Sequence, residues 1–245
     1  MKDNFSKQAH LYAKFRPGYP VELYDFLFSL VTEKRAAWDC GTGNGQVALQ
    51  LSEYFDDVYA TDISSSQIAN AVSKENIHYS KVSAEETFFI KDMFDLVTVG
   101  QAIHWFDFEK FYKEVNRALK PGGCIAVFGY GLLEIDKETD AIITDFYKNI
   151  TGPYWDAERK YVDENYETIP FPFEEIKAPA LCSKYDWELD AVAGFLNTWS
   201  AVQHYIKANN ENPVNALIEK LKRQWGNNVK KEVSFPVFIR AGRNK

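Results

Sequence analysis

Short apolar segments alternate with amphipathic segments over the first half of this 245-residue chain. The apolar segments have the length of buried strands and lie at residues 35–39, 58–62, 77–81, 94–100 and 124–128. The segments between them place apolar side chains on one helical face and lie at residues 46–52, 67–72 and 111–120. This alternation of strands and helices predicts an α/β fold with a parallel sheet.

Three glycines occupy alternate positions directly after the first predicted strand, in the pattern D-x-G-x-G-x-G over residues 39–45. The glycines lie in a strand-to-helix turn, where free N–H groups favour an anionic ligand group and absent side chains allow close approach. The turn therefore indicates a cofactor-dependent enzyme. A dinucleotide-binding turn would place its third glycine at Gln46, which disfavours an NAD-linked dehydrogenase.

A carboxylate ends the second predicted strand. Asp62 follows Gly41 by about 20 residues, an interval at which an acidic side chain can accept hydrogen bonds from ribose hydroxyls. An aspartate at this place could instead cap the next helix, although Ser64, Ser65 and Ser66 can also do so. We predict that Asp62 binds the ribose of the cofactor.

Further motifs carry a resemblance to a known family. They are the glycine turn, the segment 12–20, the pattern Q-A-x-H-W-F over residues 101–106, and L-K-P-G-G over residues 119–123. In these motifs the chain resembles class I S-adenosylmethionine-dependent methyltransferases. More narrowly, it is similar to the trans-aconitate methyltransferase-like group of the type 11 methyltransferase superfamily. The resemblance implies S-adenosylmethionine as the cofactor, with its methionine part at the glycine turn.

The resemblance also implies the fold and the organisation of the chain. We expect one Rossmann-like methyltransferase domain over residues 1–245, a doubly wound, mostly parallel seven-stranded sheet with an antiparallel C-terminal strand. A helical N-terminal segment over residues 1–34 would precede a cofactor-binding core over residues 35–130. The remaining expected parts are two lid segments, 131–176 and 188–230, and two closing strands, 177–187 and 231–243.

The family pattern assigns further residues to the cofactor. Asp39 would face the methionine ammonium group, directly or through water, or would only terminate its strand. Ile63 would cover one face of the adenine, and the turn after the third strand would hold the adenine amino edge. The predicted cofactor contacts are Tyr12, Asp39, Gly41, Gly43, Gly45, Asp62, Ile63, Ser83, Ala84, Glu85 and Gln101.

The chemistry of the cofactor limits what the protein must add. A sulfonium methyl is already electrophilic, so the protein mainly places the reacting atoms in line. A carboxylate acceptor needs no base, whereas an alcohol or phenol does. His104 lies at a predicted strand end and is a candidate base or hydrogen-bond donor, or a packing residue that shapes the pocket. Arg16 suits a substrate carboxylate, or a salt bridge that fixes the N-terminal segment.

We expect methylation of a small carboxylic acid at oxygen, which gives a methyl ester. One alternative is methylation of a quinone or phenol ring at carbon or oxygen, and another is a regulatory module that binds the cofactor without catalysis. An acid-methylating enzyme should bring Arg16 or Arg159 to the acceptor site, whereas a ring-methylating enzyme should have an apolar slot. Trp105 and Trp199 are the aromatic residues that we expect at the substrate.

Bulk properties agree with a cytoplasmic enzyme. The net charge of −7 disfavours a general nucleic-acid surface, which needs clustered Lys and Arg. Three scattered cysteines predict reduced thiols and not disulfides. The first ten residues have no apolar core of a signal peptide, and no apolar run reaches the length of a membrane span. We therefore expect no membrane insertion, no metal and a small-molecule substrate.

Overall fold

Eight strands form one sheet in the computed structural model, which describes residues 15–226 and 229–245. The strands are β1 (Ala36–Cys40), β2 (Asp57–Asp62), β3 (Ile77–Lys81), β4 (Phe94–Gly100), β5 (Leu119–Tyr130), β6 (Glu174–Ile176), β7 (Leu181–Trp187) and β8 (Lys231–Arg243). Their order is β3-β2-β1-β4-β5-β8-β6, with β7 also paired to β8. Strands β1 to β5 are parallel, and β8 is antiparallel to β5. The predicted fold class is therefore confirmed.

The seventh position of the sheet is divided between two strands. Residues 174–176 pair with the end of β8, and residues 181–187 pair with its first half. Pro179 lies in the gap between them, and proline cannot donate an N–H to a strand ladder. The sequence predicted one closing strand over residues 177–187, so the structure adds β6 from a segment that we expected in the lid.

Helices cover both faces of the sheet and build the lid segments. They are α1 (Val21–Ser29), α2 (Gln46–Leu51), α3 (Ser65–Ala69), α4 (Phe108–Ala118), α5 (Lys137–Asp145), α6 (Arg159–Asp163), α7 (Leu189–Asn197), α8 (Ser200–Asn209) and α9 (Pro213–Trp225). Short 3-10 helices at residues 103–105 and 152–154 and a π-helix at residues 146–150 join them. Within the described residues, every helix is too short or too polar to cross a bilayer.

Helix α4 shows how local sequence sets an element. The Asp107 side chain accepts a hydrogen bond from the Lys110 amide at 3.3 Å and caps the first turn. Phe111, Val115 and Ala118 recur on one face and are fully buried against the sheet. The helix ends at Ala118, and β5 follows directly. Pro121 and Gly122, near the start of β5, are exposed.

Three clusters of buried side chains hold the layers together. Two lie on opposite faces of the sheet, and the third lies between the lid helices and the β5–β8–β7 region. Trp38 is fully buried in the first cluster, and its Nε1 donates a hydrogen bond to Thr61 Oγ1 at 2.8 Å. This bond satisfies the indole N–H inside the core and ties β1 to β2.

Asp95 joins the beginnings of three strands. Its Oδ2 accepts hydrogen bonds from the amides of Arg35 and Ala36, both at 3.0 Å, and its Oδ1 accepts one from Lys120 Nζ at 2.6 Å. The carboxylate is buried, whereas the Lys120 side chain is about one third exposed. Two amides and one ammonium group therefore depend on this one side chain.

We predict that Asp95→Ala lowers the free energy of unfolding by about 2 kcal/mol, because two partly buried backbone amides and the Lys120 ammonium group lose their shared acceptor. Urea denaturation with an unchanged m-value would measure the loss. Glu53→Ala is the control, since the Glu53–Lys74 pair is on the surface and its loss should cost less than about 1 kcal/mol. Equal losses in the two variants would contradict the assigned role of Asp95.

Candidate functional site

The carboxyl ends of β1, β2 and β4 meet at one edge of the sheet, where the predicted motifs come together. The amides of Gly41 and Thr42 donate hydrogen bonds to the carbonyl of Thr61 at 2.8 and 2.9 Å. These bonds fix the glycine turn to the end of β2. The edge is the place where open α/β sheets bind ligands.

The glycines of the turn serve different needs. All three have a positive φ, and Gly45 is the N-cap residue directly before α2. At Gly41 a Cβ would lie 2.7 Å from the Cβ of Ala102, so this glycine allows close packing of the turn on the loop after β4. At Gly43 a Cβ would have no neighbour within 4 Å, so open space lies over the turn at that point. Gly43 is therefore the position at which a ligand can approach the backbone.

Asp39 lies below the turn and is 1% exposed. Its carboxylate accepts hydrogen bonds from Thr42 Oγ1 at 2.6 Å and Thr98 Oγ1 at 2.9 Å. Burial, with a smaller contribution from the charge of Asp62, raises the pKa of Asp39 to about 6 against the lowering effect of these hydroxyls. A cationic ligand group above the turn would favour the ionised form of Asp39.

Asp62 ends β2 and holds both adjoining turns. Its Oδ2 accepts a hydrogen bond from the Gly43 amide at 2.9 Å, and its Oδ1 accepts one from the Ser64 amide at 2.8 Å. Ser64 caps α3 with its own hydroxyl, so Asp62 is not the side-chain cap of that helix. A carboxylate at the end of the second strand is the group that binds ribose hydroxyls in nucleotide-binding α/β sheets.

The turn after β3 contains the residues predicted at the adenine. Glu85 accepts hydrogen bonds from the Ser83 hydroxyl and from the Asp107 amide, the latter at 3.1 Å. Ala84 is buried in the core, and Ile63 is half-buried beside Asp62. Glu85 thus ties this turn to the start of α4, and its contact with adenine stays a prediction.

Gln101 and the N-terminal segment meet at Tyr130. The Gln101 side chain accepts a hydrogen bond from the Tyr130 amide at 2.9 Å and donates one to its carbonyl at 3.4 Å. Arg16 Nη1 donates to Tyr130 Oη at 2.9 Å, and Nη2 donates to the carbonyl of Thr198 at 3.3 Å. Tyr12, the other predicted contact of this segment, lies outside the described residues.

A cleft of about 420 Å³, including its open mouth, lies beside these residues. Its lining residues are Arg16, Gln101, His104, Trp105, Trp155, Asp156, Arg159 and Ser200. Five of the predicted site residues, from three distant parts of the chain, therefore share one cleft. Both arginines that we expected at a substrate carboxylate are among them.

His104 is 6% exposed and stays neutral at physiological pH. Burial, assisted by the charges of Arg159 and Arg16, lowers the pKa of His104 to about 3. Its Nδ1 is 2.9 Å from Tyr166 Oη, and its ring lies 4.8 Å from that of Trp105. A histidine in this state can donate or accept a hydrogen bond, but it is a weak proton acceptor.

Arg159 begins α6 and is oriented by aromatic rings. Its Nε donates to Tyr147 Oη at 2.8 Å and to Asp163 Oδ1 at 3.1 Å. Its guanidinium carbon lies 4.6 Å from the Trp155 ring centre. The two terminal nitrogens have no hydrogen-bond partner among the described residues, so they are open to a ligand in the cleft.

Trp199, which we predicted at the substrate, is buried behind the cleft and is not among its described lining residues. Trp199 is 3% exposed and lies in the core of the lid segments, with its ring 5.5 Å from that of Trp155. Trp155 lines the cleft, and Trp199 supports it from behind. The sequence offered no signal that would rank Trp155 above Trp199.

The sequence analysis missed three residues that shape the site. Thr98 holds Asp39, Asp156 lines the cleft, and Tyr166 contacts His104. A threonine in an apolar strand is a weak signal for a buried polar partner, and could have been noticed. Tyr166 is distant in sequence from His104, so no local pattern could have connected them.

The comparisons with known proteins agree with this geometry. A family model described as a methyltransferase domain matches residues 38–127. A Dictyostelium discoideum protein named a methyltransferase is 33% identical to the chain, over 97% of the chain and 93% of its own length. The chain belongs to the class I S-adenosylmethionine-dependent methyltransferases. The expectation of a methyltransferase enzyme is therefore confirmed.

A solved structure supports the same family membership over the lid segments as well as the core. It is of an Anaeromyxobacter dehalogenans protein described as a type II methyltransferase, with a TM-score of 0.87 and 36% identity. The match covers 94% of this methyltransferase and 98% of that chain. The lid helices are therefore shared with that protein.

The residues at the sheet edge fit S-adenosylmethionine. The open space over Gly43 leaves room for the ligand at the turn. Asp62 is a carboxylate at the end of β2, of the kind that binds ribose hydroxyls, and Asp39 is a buried carboxylate below the turn that could pair with an ammonium group. We expect these three residues to hold the cofactor.

We predict that Asp62→Ala weakens S-adenosylmethionine binding by about 2 kcal/mol, roughly 30-fold in Kd, because a charged acceptor is lost. Isothermal titration would measure the change, and thermal unfolding would check that the turn persists. Ser65→Ala is the control, since Ser65 is exposed on the adjoining α3. An unchanged Kd for Asp62→Ala would exclude Asp62 from the site.

We predict that affinity for S-adenosylmethionine falls as the pH is lowered below about 6, by up to about tenfold per pH unit, whereas any change above about pH 7 reflects the amino group of the ligand itself. The raised pKa means that folding favours protonated Asp39, so its stabilising contribution is present below pH 4 and lost as pH rises through 6. A cationic ligand reverses this preference and releases a proton.

Titration calorimetry from pH 5 to 8, in buffers with different ionisation enthalpies, would count the released protons. Asp39→Asn is the matched control and should remove the pH dependence in this range. His104, whose pKa is about 3, does not change charge there. Affinity that is independent of pH in the native chain would contradict this interpretation of Asp39.

Proposed function

We propose that this methyltransferase methylates a carboxylate oxygen of a small organic acid and produces a methyl ester. One observation carries the proposal: Arg16 and Arg159 line the same cleft as neutral His104. Bound S-adenosylmethionine would supply the electrophilic methyl group. The protein residues bind and orient the acid and keep water from the reacting oxygen.

Arg159 is the anchor for the carboxylate. Its Nε is already held by Tyr147 and Asp163, and its guanidinium lies against Trp155. The planar group is thus fixed before a ligand arrives, and its two terminal nitrogens match the two oxygens of a carboxylate. A fixed fork loses less conformational entropy on binding than a mobile one would.

Arg16, which precedes α1, adds a second positive charge to the cleft. Its two terminal nitrogens already donate to Tyr130 Oη and the carbonyl of Thr198. Its role is therefore mainly electrostatic, because it raises the positive potential of the cleft. Asp156 is the only acidic side chain among the described lining residues, so the two guanidinium charges outnumber it.

The neutral state of His104 favours a carboxylic acid over a phenol as the methyl acceptor. A phenol must lose a proton to react well, and an imidazole whose pKa is about 3 takes up a proton poorly at neutral pH. A carboxylate is already ionised and needs only orientation. Ring methylation would also be favoured by an apolar slot, whereas this cleft contains two arginines and an aspartate.

The aromatic lining of the cleft favours a small acceptor molecule with an apolar or planar part. Trp105 and Trp155 contribute ring surface to the cleft, and such rings exclude water around an apolar or planar part of a ligand. We infer a small acid with one carboxylate at Arg159 and an apolar or planar body along these rings. Membership of the trans-aconitate methyltransferase-like group stays a prediction.

We predict that Arg159→Gln raises KM for the acid roughly 30-fold, because the charged fork is replaced by a neutral amide. Methyl transfer from radiolabelled S-adenosylmethionine to a panel of small acids would give KM and kcat. Lys160→Gln is the matched control, since it removes one positive charge from the neighbouring, exposed position. Equal effects of the two substitutions would leave Arg159 without a special role.

The stability of the product identifies the reaction. A methyl ester releases labelled methanol in mild base, whereas a methylated phenol oxygen or ring carbon keeps its label. Base-labile product from acids, and none from phenols or quinones, is the expected result. Base-stable product from a phenol or quinone, without ester formation, would support the ring-methylating alternative.

A further inference from the structure

Tyr166 is a fully buried tyrosine in the lid segment 131–176, just after α6. Its φ of 62° is in the left-handed region, which is unfavourable for a bulky residue. Arg240 Nη1 donates to its carbonyl at 3.1 Å, and its ring packs edge-on against Phe238 at 4.9 Å. The surrounding contacts therefore hold the residue in a conformation that it would otherwise avoid.

The phenol of Tyr166 contacts His104, which lies in the loop after β4. Tyr166 Oη lies 2.9 Å from His104 Nδ1, inside the core and away from bulk water. Because Nδ1 of His104 is bonded to Tyr166, Nε2 is the ring nitrogen that can form a hydrogen bond with a ligand in the cleft. The hydrogen bond at one ring nitrogen of a neutral histidine decides which of the two nitrogens carries the proton.

The chemistry of the two groups sets the direction of this bond. A neutral imidazole has one donor and one acceptor nitrogen, and a phenol O–H can donate or accept. The phenol is the more acidic donor and the bare imidazole nitrogen the more basic acceptor, so O–H to Nδ1 is the stronger arrangement. The proton of the imidazole then resides on Nε2.

We propose that Tyr166 is a positioning residue that keeps His104 in the tautomer protonated at Nε2, so that His104 donates a hydrogen bond to the acceptor molecule. The proposal rests on the proposed function, because a carboxylate needs a donor to orient it and no base. Tyr166 does not itself touch the substrate. Its strained backbone is explained by the need to place the phenol at Nδ1.

The neutral state of His104 supports the assignment. Burial and the charges of Arg159 and Arg16 disfavour the imidazolium form, in which both nitrogens would donate regardless of Tyr166. Between pH 6 and 8 the ring is therefore neutral, and the tautomer decides its function. Tyr166 and Arg159 also come from the same stretch of chain, so one segment would set both the anion anchor and the tautomer.

The tautomer can be measured directly on the whole chain labelled with ¹⁵N-histidine. The sequence contains four histidines, and a His104→Gln variant identifies the signals of His104. In the native chain at pH 7, we expect a protonated Nε2 and an unprotonated Nδ1. In Tyr166→Phe, the Nδ1 signal should shift toward the protonated value as the second tautomer becomes populated.

Tyr112→Phe is the matched control. Tyr112 is a buried tyrosine in the same core, and its hydroxyl has no hydrogen-bond partner among residues 15–226 and 229–245. The two substitutions remove the same atom, but only Tyr166→Phe should change the His104 signals. A protonated Nδ1 in the native chain would overturn the proposal, as would identical His104 spectra in Tyr166→Phe and the native chain.

Activity gives an independent readout. Tyr166→Phe should lower kcat for the acid about tenfold, with the Kd of S-adenosylmethionine unchanged, and should have no further effect in His104→Gln. Glutamine retains an N–H donor that does not depend on Tyr166. Equal losses in the single and the His104→Gln background would contradict action through His104.

The failure of this inference and of the proposed function are distinguishable. The NMR measurement needs no acceptor molecule, so the expected tautomer can be found even if no acid is methylated. That outcome would retain the role of Tyr166 in fixing the tautomer and reject ester formation. Ester formation together with a protonated Nδ1 would reject the role of Tyr166 and retain the proposed function.

Discussion

The hydrogen bond from the Gly43 amide to the Asp62 carboxylate is the constraint on which the cofactor site depends. It joins the turn after β1 to the end of β2, and the second oxygen of Asp62 fixes the Ser64 amide at the start of the next turn. The parallel pairing of β1 and β2 brings these groups to one edge. One carboxylate thus sets the shape of the predicted cofactor site.

The acceptor site depends on a different kind of constraint. Arg16, His104 and Arg159 come from the N-terminal segment, the loop after β4 and the lid, and the cleft exists only where these parts pack together. Burial, assisted by the two positive charges beside it, keeps the His104 imidazole neutral. The arginines that would attract an anion therefore also disfavour a third positive charge on His104, and the two features act together on one acceptor.

The central part of the fold could be predicted because its signals are local. Apolar runs of strand length, the glycine turn and the carboxylate of Asp62 are each read within a few residues, and the structure has β1 to β5 where these signals lie. The division of the seventh strand position was not foreseen. Pro179 is a visible reason for the break, but pairing of residues 174–176 with the distant end of β8 has no local pattern.

The sequence by itself determined the α/β architecture, the sheet edge at which we expect the cofactor and the residue types available for chemistry, because strand and turn propensities act between near neighbours. Only the tertiary structure decided that Trp155 lines the cleft while Trp199 packs behind it, and that Tyr166 meets His104. Those choices depend on how the lid helices pack on the sheet. Packing joins residues far apart in the chain, and a single sequence holds no periodic trace of such contacts.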